Sequence, residues 1–133
     1  MTTATSVLPL IAGCVFFIFG MYRVLGNDTP MPRAWLFPAV LAGLFLLFSL
    51  YAVAVEGPVG FWPEHTRNVW GNQIWFDLLL AVGIGWFLIV PQAKAVGMRP
   101  LPWLILVLCT GNIGFLAMVA RLLYLRENAA LHQ

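Results

Sequence analysis

Ala34-Trp-Leu-Phe-Pro-Ala-Val-Leu-Ala-Gly-Leu-Phe-Leu-Leu-Phe-Ser-Leu-Tyr-Ala-Val-Ala-Val55 contains no charged residue. A helix needs about 20 apolar residues to cross ~30 Å of hydrocarbon, and this stretch has that length. Pro38 falls in its first turn, where a missing N–H does little harm. The stretch reads as a transmembrane helix.

The rest of the chain repeats the pattern. Val7–Leu25 precedes it, with Ser6 as a candidate N-cap, Pro9 in the first turn and Arg23 one turn from the end. Arg23 can extend its head group to the interface from there. Gln73–Pro91 and Leu101–Leu125 follow. The connections are short: Gly26–Arg33, Glu56–Gly71 and Gln92–Pro100. None could hold a soluble domain. Short links make sequential helices antiparallel neighbours. The expected fold is all-α: one transmembrane domain over residues 1–133, a four-helix up-down-up-down bundle.

Composition agrees. The 133 residues are 62% hydrophobic and 9% charged, against about 25% charged in soluble domains. The mean hydropathy is +0.90. A net charge of +2 is too small to suggest nucleic acid and no basic run exists, so no nucleic-acid partner is expected. The N-terminus lacks the basic region of a cleaved signal peptide, so the first apolar stretch is expected to stay as a span. Trp35, Trp70, Trp75 and Trp103 mark span openings, where indole favours the membrane–water interface. Trp86 lies deeper. With four continuous spans, Arg23, Arg33, Lys94 and Arg99 fall on one face and Arg67, Arg121 and Arg126 on the other. This count puts loops one and three in the cytoplasm and both termini outside. The expected location is a bacterial inner membrane.

Asp77 is the charge set furthest inside a span. If the helix starts near Gln73, Asp77 is roughly 6 Å in, near the positive end of the helix dipole. Span four, running antiparallel, would bring Arg121 to the same depth. The expected arrangement is an Asp77–Arg121 ion pair fastening the two helices. An interfacial carboxylate touching water, and an acid with a chemical role, are the other two readings. Asn112, near mid-span, should hydrogen-bond across helices or contact a ligand. Small residues four apart (Ala39 and Gly43, Ala81 and Gly85, Thr110 and Gly114) suit close helix approach.

Other chemistry is excluded by what is missing. His65 and His132 are the two histidines, one in a loop and one in the tail. They cannot supply a di-iron site or a bis-histidine haem within the bundle. Cys14 and Cys109 stand alone in apolar stretches and read as small apolar side chains. No zinc cluster, nucleophile motif or phosphate loop occurs. No metal and no obligatory cofactor is expected. Asn27-Asp-Thr29 fits a glycosylation triplet, but Pro30 follows and the expected sidedness argues against its use.

The second half carries a further signal. Asn72-Gln-Ile-Trp-Phe-Asp77-Leu-Leu, Ala95-Val-Gly-Met-Arg99 with Trp103, and Leu122-Leu-Tyr-Leu-Arg-Glu127 occur in order. An Asp early in a span, a Gly-Met-Arg turn and a Tyr-Leu-Arg-Glu exit at this spacing resemble a family of small bacterial integral membrane proteins of unknown function. The chain differs from it at Pro91-Gln92 and by an extra span in the first half. More distantly, the four-span layout and the Asp look like the carotenoid-related membrane family linked to neoxanthin formation. That likeness implies an isoprenoid ligand.

Two functions follow as expectations. The first is a non-catalytic accessory or assembly subunit packed against a larger membrane complex. The alternative is a carotenoid- or quinone-binding protein or enzyme, using Asp77 in a pocket lined by Trp75, Trp86 and Asn112.

Overall fold

The computed structural model describes residues 3–26 and 31–131. Helices joined by turns and short irregular links make them up, with no strand among the described residues, and the chain falls into two compact units, Met1–Met31 and Pro32–Gln133. Among the described residues, three helices are long and apolar enough to cross a membrane. The Asn27–Thr29 triplet and His132 lie outside the described residues.

The first unit contributes one helix among its described residues, α1 (Thr3–Leu25). It starts before the expected cap, so Ser6 lies inside it and Pro9 is interior rather than in the first turn. Proline there removes one backbone hydrogen bond. Arg23 occupies the last turn, where the helix dipole favours a cation.

In the second unit, α2 (Leu36–Glu56) follows a turn in which Arg33 takes a positive φ of 58°. That conformation is held by the Arg33 N–H donating to Glu127 Oε1 at 2.8 Å. A short helix, α3 (Phe61–Thr66), lies within the aromatic loop. Next comes α4 (Val69–Ala95). Asn68 caps it, accepting from Gly71 N at 2.8 Å, and Asn72 Nδ2 donates to the His65 carbonyl at 3.0 Å. These two bonds tie α3 to the start of α4.

α4 is longer than the expected 73–91. Pro91 lies inside it rather than ending it. Pro91 takes the helical donor from the Phe87 carbonyl, and Gln92 Nε2 donates to the adjacent Leu88 carbonyl at 2.8 Å. The true end is a Schellman turn. Gly97, at φ 78°, donates to the Lys94 carbonyl, and Met98 N donates to the Ala93 carbonyl at 2.9 Å.

The expected fourth span is not one helix. It is two, α5 (Pro100–Thr110) and α6 (Asn112–Leu131), divided at Gly111. Gly111 sits at φ 60°, ψ −130°, a conformation open essentially to glycine alone. The chain reverses there. Gly114 is so close to the last turn of α5 that a Cβ on it would lie 2.9 Å from the Leu106 carbonyl. Further from the tip, Met98 shares a buried cluster with Met118 and Leu122, and Trp103 packs against that cluster. Residues 106 and 114, then 98 and 122, thus face each other across a helical hairpin. With 11 residues, α5 is roughly 16 Å long, half of a hydrocarbon core.

The hairpin sets the direction of α6. Its start meets the middle of α4, where Phe115 lies on Gly85. Further along, Met118 and Leu122 cluster with Ile89 and Ala93. α6 therefore runs parallel to α4, not antiparallel as a continuous fourth span would. Its far end meets the start of α2: the Trp35 and Tyr124 rings are 5.5 Å apart, edge to face. Ala93 and Met118 are fully buried in this core. Of the three small-residue pairs, those containing Gly85 and Gly114 lie at close approaches, whereas Gly43 has nothing within 4 Å.

Candidate functional site

Asp77 lies eight residues after Val69 on α4, roughly 12 Å along the helix rather than 6 Å. It is exposed. Arg121 is exposed as well, and its guanidinium sits over the Tyr124 ring, 5.6 Å from the centroid. The two do not form an ion pair; among the described residues the bridge present joins Arg67 to Glu64 at 3.0 Å. Chain direction explains why. Because α6 runs parallel to α4, Arg121 lies near the level of Ala93, while Asp77 is 16 residues back toward the other end. That separation is roughly 24 Å along the helix.

The same reversal sorts the charges. Arg33, Lys94, Arg99, Arg121 and Arg126 gather at the end where α2 begins and α4 and α6 finish. The opposite end holds Arg67 with Glu56 and Glu64.

Below the hairpin tip is a cleft of about 830 Å³. It is walled by the second half of α2, by α3 and by the first half of α4, and roofed by residues 107–113. Trp75 and Asn112 line it. Asp77 and Trp86 are not among its lining residues. Trp86 packs against the buried cluster with α6. Asp77 is two residues from Trp75, which turns it roughly 200° away around the helix. Three lining residues carry polarity that the sequence did not single out: Ser49, Glu56 and His65. His65 lies in the aromatic loop, and only the fold brings Trp75 of α4 beside it, with Phe61 on α3 completing the group. The His65 and Trp75 rings are 4.9 Å apart, and Phe61 stacks on Trp75 at 6.1 Å.

Both cysteines are free and exposed, and Cys109 borders the cleft. No group of three or more potential metal ligands occurs among the described residues. Neither known protein families, nor curated proteins, nor solved structures give a match to this chain.

Proposed function

We propose that this chain is a non-catalytic integral membrane protein, an accessory or assembly subunit that packs against a larger complex in a bacterial inner membrane. The observation carrying this reading is Asp77. An uncompensated carboxylate in a span costs about 2.5–3.5 kcal/mol on insertion scales. Asp77 is exposed on α4 and makes no ion pair with a described residue. A cation on a neighbouring chain would compensate it. The surrounding face suits such a contact: Trp70, Gln73 and Ala81 are exposed at helical spacing on the same side, and small and polar residues favour helix association in lipid.

The charge layout supports a sidedness different from the one the four-span layout gave. In the second unit the end with Arg33, Lys94, Arg99, Arg121 and Arg126 outweighs the end with Arg67 by five to one. The positive-inside rule assigns the richer end to the cytoplasm. The C-terminal end of α6 is then cytoplasmic.

The test is purification in mild detergent with native mass spectrometry. The expected result is a stable hetero-complex for the natural chain and its loss in Asp77→Lys. A monomer whose behaviour is unchanged by Asp77→Lys overturns the reading.

A second reading, an isoprenoid-binding protein, is favoured by the cleft that joins Trp75 to Asn112. It does without Asp77.

A further inference from the structure

The cleft is a product of the hairpin. α5 and α6 reach the level of Phe48 on α2 and Val82 on α4, then turn back. On the other side of their tip, the space between α2 and α4 is left to the cleft.

Four properties define an occupant. The volume, about 830 Å³, lies within the ~300–1,000 Å³ typical of small-molecule sites. The walls are mainly apolar, including Phe45, Leu79 and Val107. No Lys or Arg lines the space, and Glu56 is its one carboxylate. Anionic head groups such as phosphate or carboxylate are therefore disfavoured. The fourth property is Asn112. It sits half-buried at the inner end, and its amide makes no hydrogen bond with a described residue. Away from water such an amide needs a partner, and it can both donate and accept. At the mouth, the Phe61, His65 and Trp75 rings cluster into an aromatic wall, tilted 57°, 26° and 39° to one another in pairs. Phe115 on Gly85 puts Asn112 near the level of Val82, roughly 10 Å deeper than Trp75.

We propose that this cleft binds a neutral, lipid-soluble molecule bearing a carbonyl or hydroxyl group, entering from the bilayer. Its polar group meets the Asn112 amide, and its apolar body lies along the wall of Phe61, His65 and Trp75. Asn112 Nδ2 donates to a carbonyl, or Oδ1 accepts from a hydroxyl. The proposal deepens the isoprenoid-binding reading and is independent of the subunit reading, which rests on Asp77 on the other face of α4.

The experiment titrates the full chain in mild detergent with decylubiquinone, following quenching of tryptophan fluorescence. Asn112→Leu removes the polar contact, and Val82→Phe narrows the cleft. The expected result is saturable quenching at one molecule per chain. Asn112→Leu should weaken binding at least tenfold with unchanged near-UV circular dichroism. Val82→Phe should abolish saturation, and an equal concentration of myristate should not compete. If Asn112→Leu fails to fold, Val82→Phe and the myristate competition decide. Quenching that rises linearly and equally in all the proteins overturns the proposal, as does saturable binding unaffected by Val82→Phe. Displacement by myristate at equal concentration overturns the neutral-ligand assignment.

Discussion

Replacing Gly114 by alanine should open the helical hairpin. A Cβ at this position would lie 2.8 Å from Thr110 Oγ1 and 2.9 Å from both the carbon and oxygen of the Leu106 carbonyl, where ordinary contacts are 3.4–4 Å. Two of those atoms are backbone and cannot rotate aside. The arms of the hairpin must part by about 0.5 Å, a gap that forfeits roughly a quarter of the dispersion well of each contact across it. Overpacking of this kind costs about 1–3 kcal/mol. The Gly114 N–H also donates to Thr110 Oγ1 at 3.0 Å, a bond the same movement stretches. Gly83 supplies the comparison. It lies inside α4, and a methyl group added there would have nothing within 4 Å, so alanine should stabilise by about 0.5–1 kcal/mol through helix propensity alone. Reversible denaturation in mixed micelles, followed by helical circular dichroism, measures both variants. The two should move in opposite directions, separated by roughly 1.5–4 kcal/mol. Gly114→Ala as stable as Gly83→Ala would refute the close approach, and with it the reversal at Gly111.

Three other outcomes are expected. Met118→Ala should destabilise, because the fully buried Met118 gives way to a void on the order of 70 Å³, worth about 1.7 kcal/mol at 24 cal/mol per Å³. In lipid the water-transfer contribution to such a change is small, so a loss much above that figure in the same denaturation assay would contradict the estimate. Asp77→Asn and Arg121→Gln should be additive in a double-mutant cycle within about 0.5 kcal/mol, since they lie at different levels of the unit; a larger coupling would restore their ion pair. A cysteine placed at Ala130 should be modified by a membrane-impermeant maleimide only after the cells are opened, as should one at Arg99; labelling of the first in intact cells would place the end of α6 outside.

Much of the fold was legible because lipid imposes a length. The charge-free run ending at Val55 matches α2 to within two residues at its start and one at its end. Its limits are set by Gly57 and by the turn before Leu36, both visible as local chemistry. The end of α4 was harder. Pro91 is a strong helix stop in isolation, but α4 runs through it, and the Schellman turn at Gly97 ends the helix instead. The hairpin was not legible from hydropathy, which stays high on both sides of Gly111. The relevant signal was one glycine between Thr110 and Asn112, and glycine is also common in uninterrupted spans. That one residue decided the candidate site. With a straight fourth span Asp77 and Arg121 share a leaflet; with a reversal they do not, and Asn112 moves from the middle of a helix to the roof of a cleft. Trp75 lines the cleft, whereas Trp86, on nearly the same face of α4 three turns later, belongs to the core.

Gly111 has a consequence for how such a protein is made. To the insertion machinery, Leu101–Leu125 presents one apolar run of crossing length. Whether the following residues pass through the bilayer or stay on the side of synthesis depends on a backbone conformation that only glycine adopts easily. A single codon change to any residue with a side chain would favour the straight helix. The end of the chain, with Arg126 and Glu127, would then emerge in the other compartment. Under the sidedness proposed above, the compartment of the segment after Gly111 would turn on this one backbone conformation, which hydropathy does not register.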